Sequence, residues 1–363
     1  MGCSLTITAL EIYQYTLALK MPFTVDGQPF SHREGLIVRL VMDDGTCGVG
    51  DVAPLTGYSR ENLKKAIYQL KQAGNFLVGS AVAKHVDDLR KYFQDVFFQC
   101  QCPSVRFGIE MAVLQWLSVL NQKNPSHLLG CESNRDISCA GLLQGTLEEI
   151  TSQTAEYLSR GCRTFKLKVG SKNIPLDVKK LQLVRGQIQP GMKIRLDVNQ
   201  SWSLSEALAF VRSSGNDNIE FIEEPLKITE DLAEFLGETG WAVALDETIQ
   251  GQDPDAFVIP PGVDVLVLKP MVLGGIMETL RWITMARKEG RQCVISSCFE
   301  SGVGARMLAN LAQWTVLDAG LGTSGWFKED LLEPLTQDAS CSVSAKQLSF
   351  RWEDLNHRKL TRI

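Results

Sequence analysis

Six residues spread through the middle of the chain are of the types that take a proton from carbon beside a carboxylate: Lys166, Lys168, Asp197, Glu223, Asp246 and Lys269. Three carboxylates brought into one small volume repel one another unless a divalent cation sits among them. An all-oxygen set of Asp197, Glu223 and Asp246 favours Mg²⁺ over zinc, with Mn²⁺ the expected substitute. Asn199, two residues beyond Asp197, shares its face on an extended strand and is read as orienting a ligand or a metal-bound water. Lys166 and Lys168 also share a face. Two close ammonium groups disfavour each other's protonation, and partial burial adds to this, so one of the pair becomes a candidate neutral general base near about pH 7. A cation and a protonated Lys269 would then stabilise the enediolate that forms.

The elements around these residues predict how they meet. From about Ile137 the chain alternates strand and helix, which calls for parallel strands with helical crossovers. Strands are predicted at Ile137 to Leu143, Thr164 to Val169, Lys193 to Val198, Ile219 to Glu223, Ala242 to Asp246, Val263 to Leu268, Gln292 to Ser296 and near Asp318. Helices are expected between them, as at Leu147 to Ser159, Leu204 to Ser213 and Ile276 to Lys288. The spacing fits a (β/α)8-type barrel, full or slightly shortened, and no glycine-rich dinucleotide loop supports an open doubly wound sheet. In such a barrel the site lies at the C-terminal ends of the strands, where the six residues fall. The first hundred or so residues predict an α+β domain. Ile7 to Leu17 and Gly35 to Met42 are strands, Asp43-Asp44-Gly45 is a hairpin turn, and Arg60 to Gln72, Val86 to Phe97 and Val105 to Leu120 are helices. The expected division is a capping domain over 1–125, a barrel over 126–335, and a segment over 336–363 returning to pack on the cap.

Other chemistries are excluded on simpler grounds. The 363 residues carry 37 Lys+Arg against 42 Asp+Glu, a net charge of −5 without any basic run, which argues against a nucleic-acid surface. No uncharged apolar stretch is long enough to cross a membrane. The ten cysteines lack framework spacing, so they are expected to be reduced thiols in a cytoplasmic protein. Cys100 and Cys102 lack the partners of a zinc tetrad. The opening MGCSLT fits a myristoylation pattern only formally. The histidines, His32, His85, His127 and His357, all lie outside the predicted catalytic strands, so Ser-His-Asp or Cys-His hydrolysis in the barrel is excluded.

The set Lys166-x-Lys168, Asp197-x-Asn199, Glu223-Glu224-Pro225, Asp246-Glu247-Thr248 and Lys269-Pro270 resembles the enolase superfamily, in its muconate-lactonizing subgroup. Superfamily sites are generally described as a Lys or His base with Mg²⁺ stabilising an ene-diolate. The resemblance covers nearly the whole chain, with Arg33 to Val38, Gly48 to Leu55 and Arg106 to Glu110 as phrases of the capping domain. Asp51 is a departure, since the family usually carries Glu there. Within the subgroup, Ala53 to Ser59, Ile295 to Ser301 and Gly320 to Thr323 resemble the family of o-succinylbenzoate-forming dehydratases. Gly320 and Gly322 stand where dipeptide epimerases are expected to carry an Asp-x-Asp pair.

The resemblance implies Lys168 as the base and then the acid of a dehydration, Lys269 as a cationic stabiliser, and Lys166 as the group that tunes Lys168. It implies a small-molecule carboxylate substrate whose tail is received by Ser296, Ser297 and Gly322, under a loop of Thr56, Gly57, Tyr58 and Ser59. Glu224 and Glu247 adjoin the metal ligands and are expected to point away from them, towards a lysine. Arg195 is assigned either to the site or to the barrel interior. The alternatives are racemisation of an N-acylamino acid, epimerisation of a dipeptide, muconate cycloisomerisation, and a catalytically retired barrel; oligomeric state is left open.

Overall fold

A computed structural model describes residues 5–25, 28–82, 86–97, 100–323, 325–335 and 340–363. Gly2 and Cys3, which carry the lipidation pattern, and His85 lie outside these residues. The chain folds as an α/β barrel with an N-terminal α+β cap completed by the C-terminal tail.

The cap is built on an antiparallel sheet. Strands β1 (Leu5–Val25), β2 (Gln28–Met42) and β3 (Cys47–Val52) lie in chain order. The β2–β3 turn forms at the Asp-Asp-Gly sequence because Gly45 takes a φ of 82° and Asp44 Oδ1 accepts the Thr46 N–H at 2.9 Å. Thr361–Arg362 joins the free edge of β1, so the last residues of the chain complete the first sheet.

Among the described residues the cap is covered by the helices α1 (Leu63–Leu77), α2 (Val86–Phe97) and α3 (Pro103–Asn121). The first begins later than the sequence predicts because Asn62, not Arg60, caps it, accepting the Lys65 N–H. The third is buried on nearly every side from Ser104 to Ser118. One side packs on β3, where Gly50 and Gly108 let the two backbones touch: a Cβ on Gly50 would lie 1.8 Å from the Gly108 carbonyl oxygen. From another position Glu110 reaches the barrel and accepts the Ile276 and Met277 N–H groups.

The barrel strands are β4 (Gly141–Leu143), β5 (Thr164–Lys168), β6 (Lys193–Asp197), β7 (Ile219–Glu223), β8 (Val243–Leu245), β9 (Val263–Leu268) and β10 (Gln292–Ile295). They pair in parallel, each with its chain neighbour. Between them run α4 (Leu147–Ser159), α5 (Ile174–Arg185), α6 (Leu204–Ser214), α7 (Leu232–Thr239), a short turn of helix at Pro270–Leu273, and α8 (Ile276–Lys288), with α9 (Gly302–Ala312) following β10. Capping boxes at Thr146/Glu149 and Ser203/Glu206 start α4 and α6.

Two sequence expectations change here. The predicted first strand, Ile137 to Leu143, is split: Ile137–Ser138 pairs antiparallel with Ser342–Val343, and only Gly141–Leu143 enters the barrel. The predicted eighth strand is reduced to isolated bridges, Cys139↔Ala319 and Ser296↔Gly320. These close the ring, with Ala140 N–H bonded to the Ala319 carbonyl and Gly320 N–H to the Ile295 carbonyl. Glycines at 320 and 322 give little to hold an extended ladder, so pairing stops after two residues.

The cysteine expectation is corrected. Cys162 and Cys341 form a disulfide, with Cα atoms 5.1 Å apart. The cause is tertiary: the returning tail bonds its Cys341 N–H to the Arg160 carbonyl, which sets the two cysteines side by side. Seven other cysteines among the described residues are thiols.

Candidate active site

The ends of β5 through β9 open onto a cavity of about 520 Å³, roofed by the cap residues Leu55, Gly57 and Tyr58. Strand register explains its chemistry. Lys168 pairs with Asp197 across β5–β6, and Asp197 with Glu223 across β6–β7, so these side chains stand at one level. Lys269 leaves β9, four strands from β5 in a ring closed by eight, and therefore faces the lysine pair from the opposite wall.

The three carboxylates of Asp197, Glu223 and Asp246 are each 1% exposed. Lys166 Nζ lies 2.8 Å from Asp197 Oδ2 and 2.7 Å from Glu223 Oε2. Lys168 Nζ lies 2.7 Å from Asp197 Oδ2 and donates to Asn199 Oδ1 at 2.6 Å. Lys269 Nζ lies 2.5 Å from Asp246 Oδ2 and 2.6 Å from the Tyr58 hydroxyl. Burial disfavours the Lys166 and Lys269 cations, but Asp197 and Glu223 around the first and Asp246 beside the second outweigh it and hold both ammoniums above their ordinary range. Burial, together with neighbouring Asp197, pushes the Glu223 carboxyl up, while burial of Asp197 is outweighed by its two lysines, which hold it well below the usual range.

Among the described residues no three His, Cys, Asp or Glu side chains converge closely enough to form a ready metal site. Lysine ammoniums sit between the carboxylates and balance their charge. The donors nevertheless fit a hard divalent cation. All are oxygen, and Asp197 Oδ1 is buried without a hydrogen-bond partner.

The remaining expected residues take varied places. Asn199, Gln200 and Glu224 have φ of 50°, 56° and 43°, so the chain leaves β6 and β7 by left-handed turns. Asn199 thus reaches the cavity through a turn rather than by strand alternation. Glu247 does not point away; it lines the cavity and accepts from Asn199 Nδ2 at 2.9 Å. Among the described residues Glu224 pairs with no lysine and instead braces the loop after β8, accepting the Asp246 and Thr248 N–H groups at 2.7 Å and Gln200 Nε2 at 2.9 Å. Arg195 belongs to the barrel interior, bonded to Glu220 at 2.6 Å and to the Asp318 carbonyl at 2.7 Å.

Ser296, Ser297 and Gly322 line the cavity, and Ser297 shares a hydrogen bond with Thr323. In the cap loop Gly57 and Tyr58 line it, whereas Ser59 Oγ accepts the Leu55 N–H and holds the turn, and Thr56 is exposed. Tyr58 donates to Asp246 at 3.0 Å and accepts from Gln250 Nε2 at 2.7 Å. Gln200, Cys298 and Phe299 also line the cavity. Cys298 and Phe299 directly follow the serines that the sequence places there, a signal that could have found them; Gln200 depends on a left-handed turn that no pattern signals.

Known proteins share this fold and part of the sequence that builds it. Residues 149–339 match a family described as "Enolase C-terminal domain-like", and residues 7–116 match "MenC, N-terminal domain". The o-succinylbenzoate synthase of Pasteurella multocida is 30% identical over 320 residues, covering 85% of this chain and 86% of that one. That of Pectobacterium atrosepticum is 29% identical, covering 95% and 99%. The chloroplastic protein PHYLLO of Arabidopsis thaliana is 29% identical over 90% of this chain, which spans only 21% of that much longer protein. Among solved structures, a dipeptide epimerase from Enterococcus faecalis complexed with Mg and L-Leu-L-Tyr superposes with a TM-score of 0.84 at 21% identity, covering 94% of this chain and 97% of that one.

Proposed function

Since this chain belongs to the o-succinylbenzoate synthase family of the enolase superfamily, carbon-oxygen lyases by reaction, we propose that it dehydrates 2-succinyl-6-hydroxy-2,4-cyclohexadiene-1-carboxylate to o-succinylbenzoate. One observation carries the reading: Lys269, held by Asp246 and Tyr58, stands opposite the more exposed Lys168 in one cavity that Asp197 lines, with Glu223 and Asp246 buried behind it.

Lys168, as the free amine, takes the proton alpha to the ring carboxylate. The electrons pass into the carboxylate as an enediolate, and Lys269, kept cationic by Asp246 and Tyr58, faces that negative charge. The enediolate collapses, a ring double bond forms, and the C6–O bond breaks. Lys168 returns its proton to the departing hydroxide, which leaves as water from the same face. Lys166 holds Asp197 and Glu223 in place through its ion pairs with both. Asp197, Glu223 and Asp246 are the residues that would hold Mg²⁺, whose charge would add to that of Lys269 in stabilising the oxyanion. Ser296, Ser297 and Gly322 would receive the succinyl tail under the Thr56 to Ser59 loop. The same reading assigns the enzyme to menaquinone or phylloquinone synthesis in the cytoplasm, and the domain division at 125 and 335.

Racemisation or epimerisation is the second reading, favoured by the facing lysines, since two bases can take and return a proton on opposite sides. Against it, the two lysines are unequal: Lys269 is enclosed under the cap by Asp246 and the Tyr58 hydroxyl, whereas Lys168, though ion-paired with Asp197, has 34% of its side chain exposed. Absorbance-monitored conversion of the cyclohexadiene, with and without Mg²⁺ and with Lys168→Ala as control, separates the two. Metal-dependent turnover lost in the variant supports dehydration. A folded protein inert on this substrate but active on an N-acylamino acid or dipeptide overturns it.

A further inference from the structure

The Arg33 guanidinium lies between the cap and the barrel, 4% exposed, and makes all its hydrogen bonds to main-chain carbonyls. On the cap side Nη1 donates to the Pro54 and Glu34 carbonyls, both at 2.9 Å, and Nη2 to the Ala53 carbonyl. On the barrel side Nε donates to the Phe299 carbonyl at 3.2 Å and Nη2 to the Cys298 carbonyl at 3.4 Å. The two carbonyl pairs open the two loops that wall the cavity. Ala53 and Pro54 lead directly into Leu55, Gly57 and Tyr58, and Cys298 and Phe299 follow Ser296 and Ser297.

Resting on the dehydratase reading for its kinetic test, we propose that Arg33 is a positioning residue that locks the cap wall and the barrel wall of the substrate cavity to each other. A planar guanidinium is suited to this role, because five donors in fixed directions can engage carbonyls from two chain segments at once, which a lysine ammonium on a flexible stem cannot. Phe299 has a φ of 60°, an unfavourable conformation for a side chain of its size, and its carbonyl is one that Arg33 holds. Burial raises the carboxyls of Asp51 and Glu300 above their ordinary range, and the nearby Arg33 guanidinium offsets part of that rise. Asp51 in turn accepts from Ser301 Oγ at 2.7 Å and from Tyr15 at 2.9 Å, so the shorter acid at this position anchors the same junction. Among the described residues, Arg33 itself makes no hydrogen bond or ion pair with Lys166, Lys168, Lys269 or the three carboxylates. The lock therefore acts first on the walls that hold the substrate body, and reaches Lys269 and Asp246 only through Tyr58 in the cap loop.

The test uses Arg33→Lys and Arg33→Met in the full chain, read by two methods. In hydrogen exchange, which needs no substrate, segments 53–59 and 296–301 are expected to exchange together at least about ten times faster, while 164–168 and 193–197 stay as in the unaltered protein. In kinetics on the cyclohexadiene, KM is expected to rise about tenfold or more and kcat to fall by a smaller factor, because the loss falls first on substrate binding and reaches Lys269 only through Tyr58. Arg33→Ala is expected to recover its KM in millimolar guanidinium but not in ammonium. Unchanged exchange in both segments, acceleration of only one, or a lower Tm with KM unchanged overturns the proposal. If the unaltered protein turns over no cyclohexadiene, the dehydratase reading fails, and the exchange result alone decides the role of Arg33. If Arg33→Met does not fold, Arg33→Lys carries the same expectations.

Discussion

The Tyr58 hydroxyl, carried by the cap, lies 2.6 Å from Nζ of Lys269, carried by the barrel, and the ammonium sits 4.4 Å from the centre of the Tyr58 ring. The cap therefore completes the environment of Lys269 as well as roofing the cavity. The hydroxyl accepts from Lys269 and Gln250 and donates to Asp246, so all its hydrogen-bonding capacity is used.

Removing that hydroxyl in Tyr58→Phe leaves the ring over the ammonium but deprives a largely buried cation of an acceptor. A lost hydrogen bond to a charged group is worth roughly 1.5–3 kcal/mol. The expected outcome is a fall in kcat/KM of about tenfold to a hundredfold with a folded protein. Steady-state kinetics beside a thermal melt would check it, and unaltered kinetics would contradict it.

Mg²⁺ should raise the melting temperature if Asp197, Glu223 and Asp246 hold it. Ligand present at a hundred times its Kd stabilises by about 2.7 kcal/mol. Asp246→Asn should abolish the Mg²⁺-dependent rise, since a neutral amide replaces one of three anionic donors. A rise of the same size in the variant would show that the ion binds elsewhere.

Stability should depend on pH through Glu110. Burial pushes its carboxyl up to about 8, against the two backbone N–H groups that favour the anion. Between the unfolded carboxyl's value of about 4.3 and about 8, the folded state holds a proton that the unfolded state has lost, so stability falls as pH rises through this window and levels off above it. Glu110→Gln, neutral throughout and still able to accept from Ile276 or Met277, should flatten that part of the profile. Denaturant midpoints measured from about pH 5 to 9 for both proteins test this, and parallel curves would refute it.

Gly50→Ala should destabilise the cap sharply. The new methyl would meet the Gly108 carbonyl oxygen and carbon, backbone atoms that cannot rotate away. Forced overpacking typically costs about 1–3 kcal/mol, and an equilibrium unfolding curve reads the loss directly. Gly45→Ala is the useful contrast: nothing lies within 4 Å of an added Cβ there, and its cost comes only from the φ of 82°.

Much of the architecture is legible in the chain because it follows from local rules. Alternation of apolar strands and amphipathic helices predicts the barrel, and α4, α8 and β9 begin and end at the residues the sequence predicts. The lysines and carboxylates stand out as candidates because five successive strand ends carry them in the order base, acid, acid, acid, base, which solvation of single strand ends would not arrange. Tertiary structure decided what depends on which backbones meet. The eighth strand dwindles to two bridges, since ring closure is fixed by neighbours at Ser296 and Cys139 and not by the propensity of residues near Asp318. Cys162 and Cys341 join because the tail returns beside Arg160, a contact spanning 179 residues that no spacing rule encodes. Glu247 enters the cavity through a loop that no longer obeys the strand period of two, and Tyr58 gains its place beside Lys269 only when the cap is set on the barrel. Period and residue type are properties of short segments; pairing between distant segments exists only once they are packed.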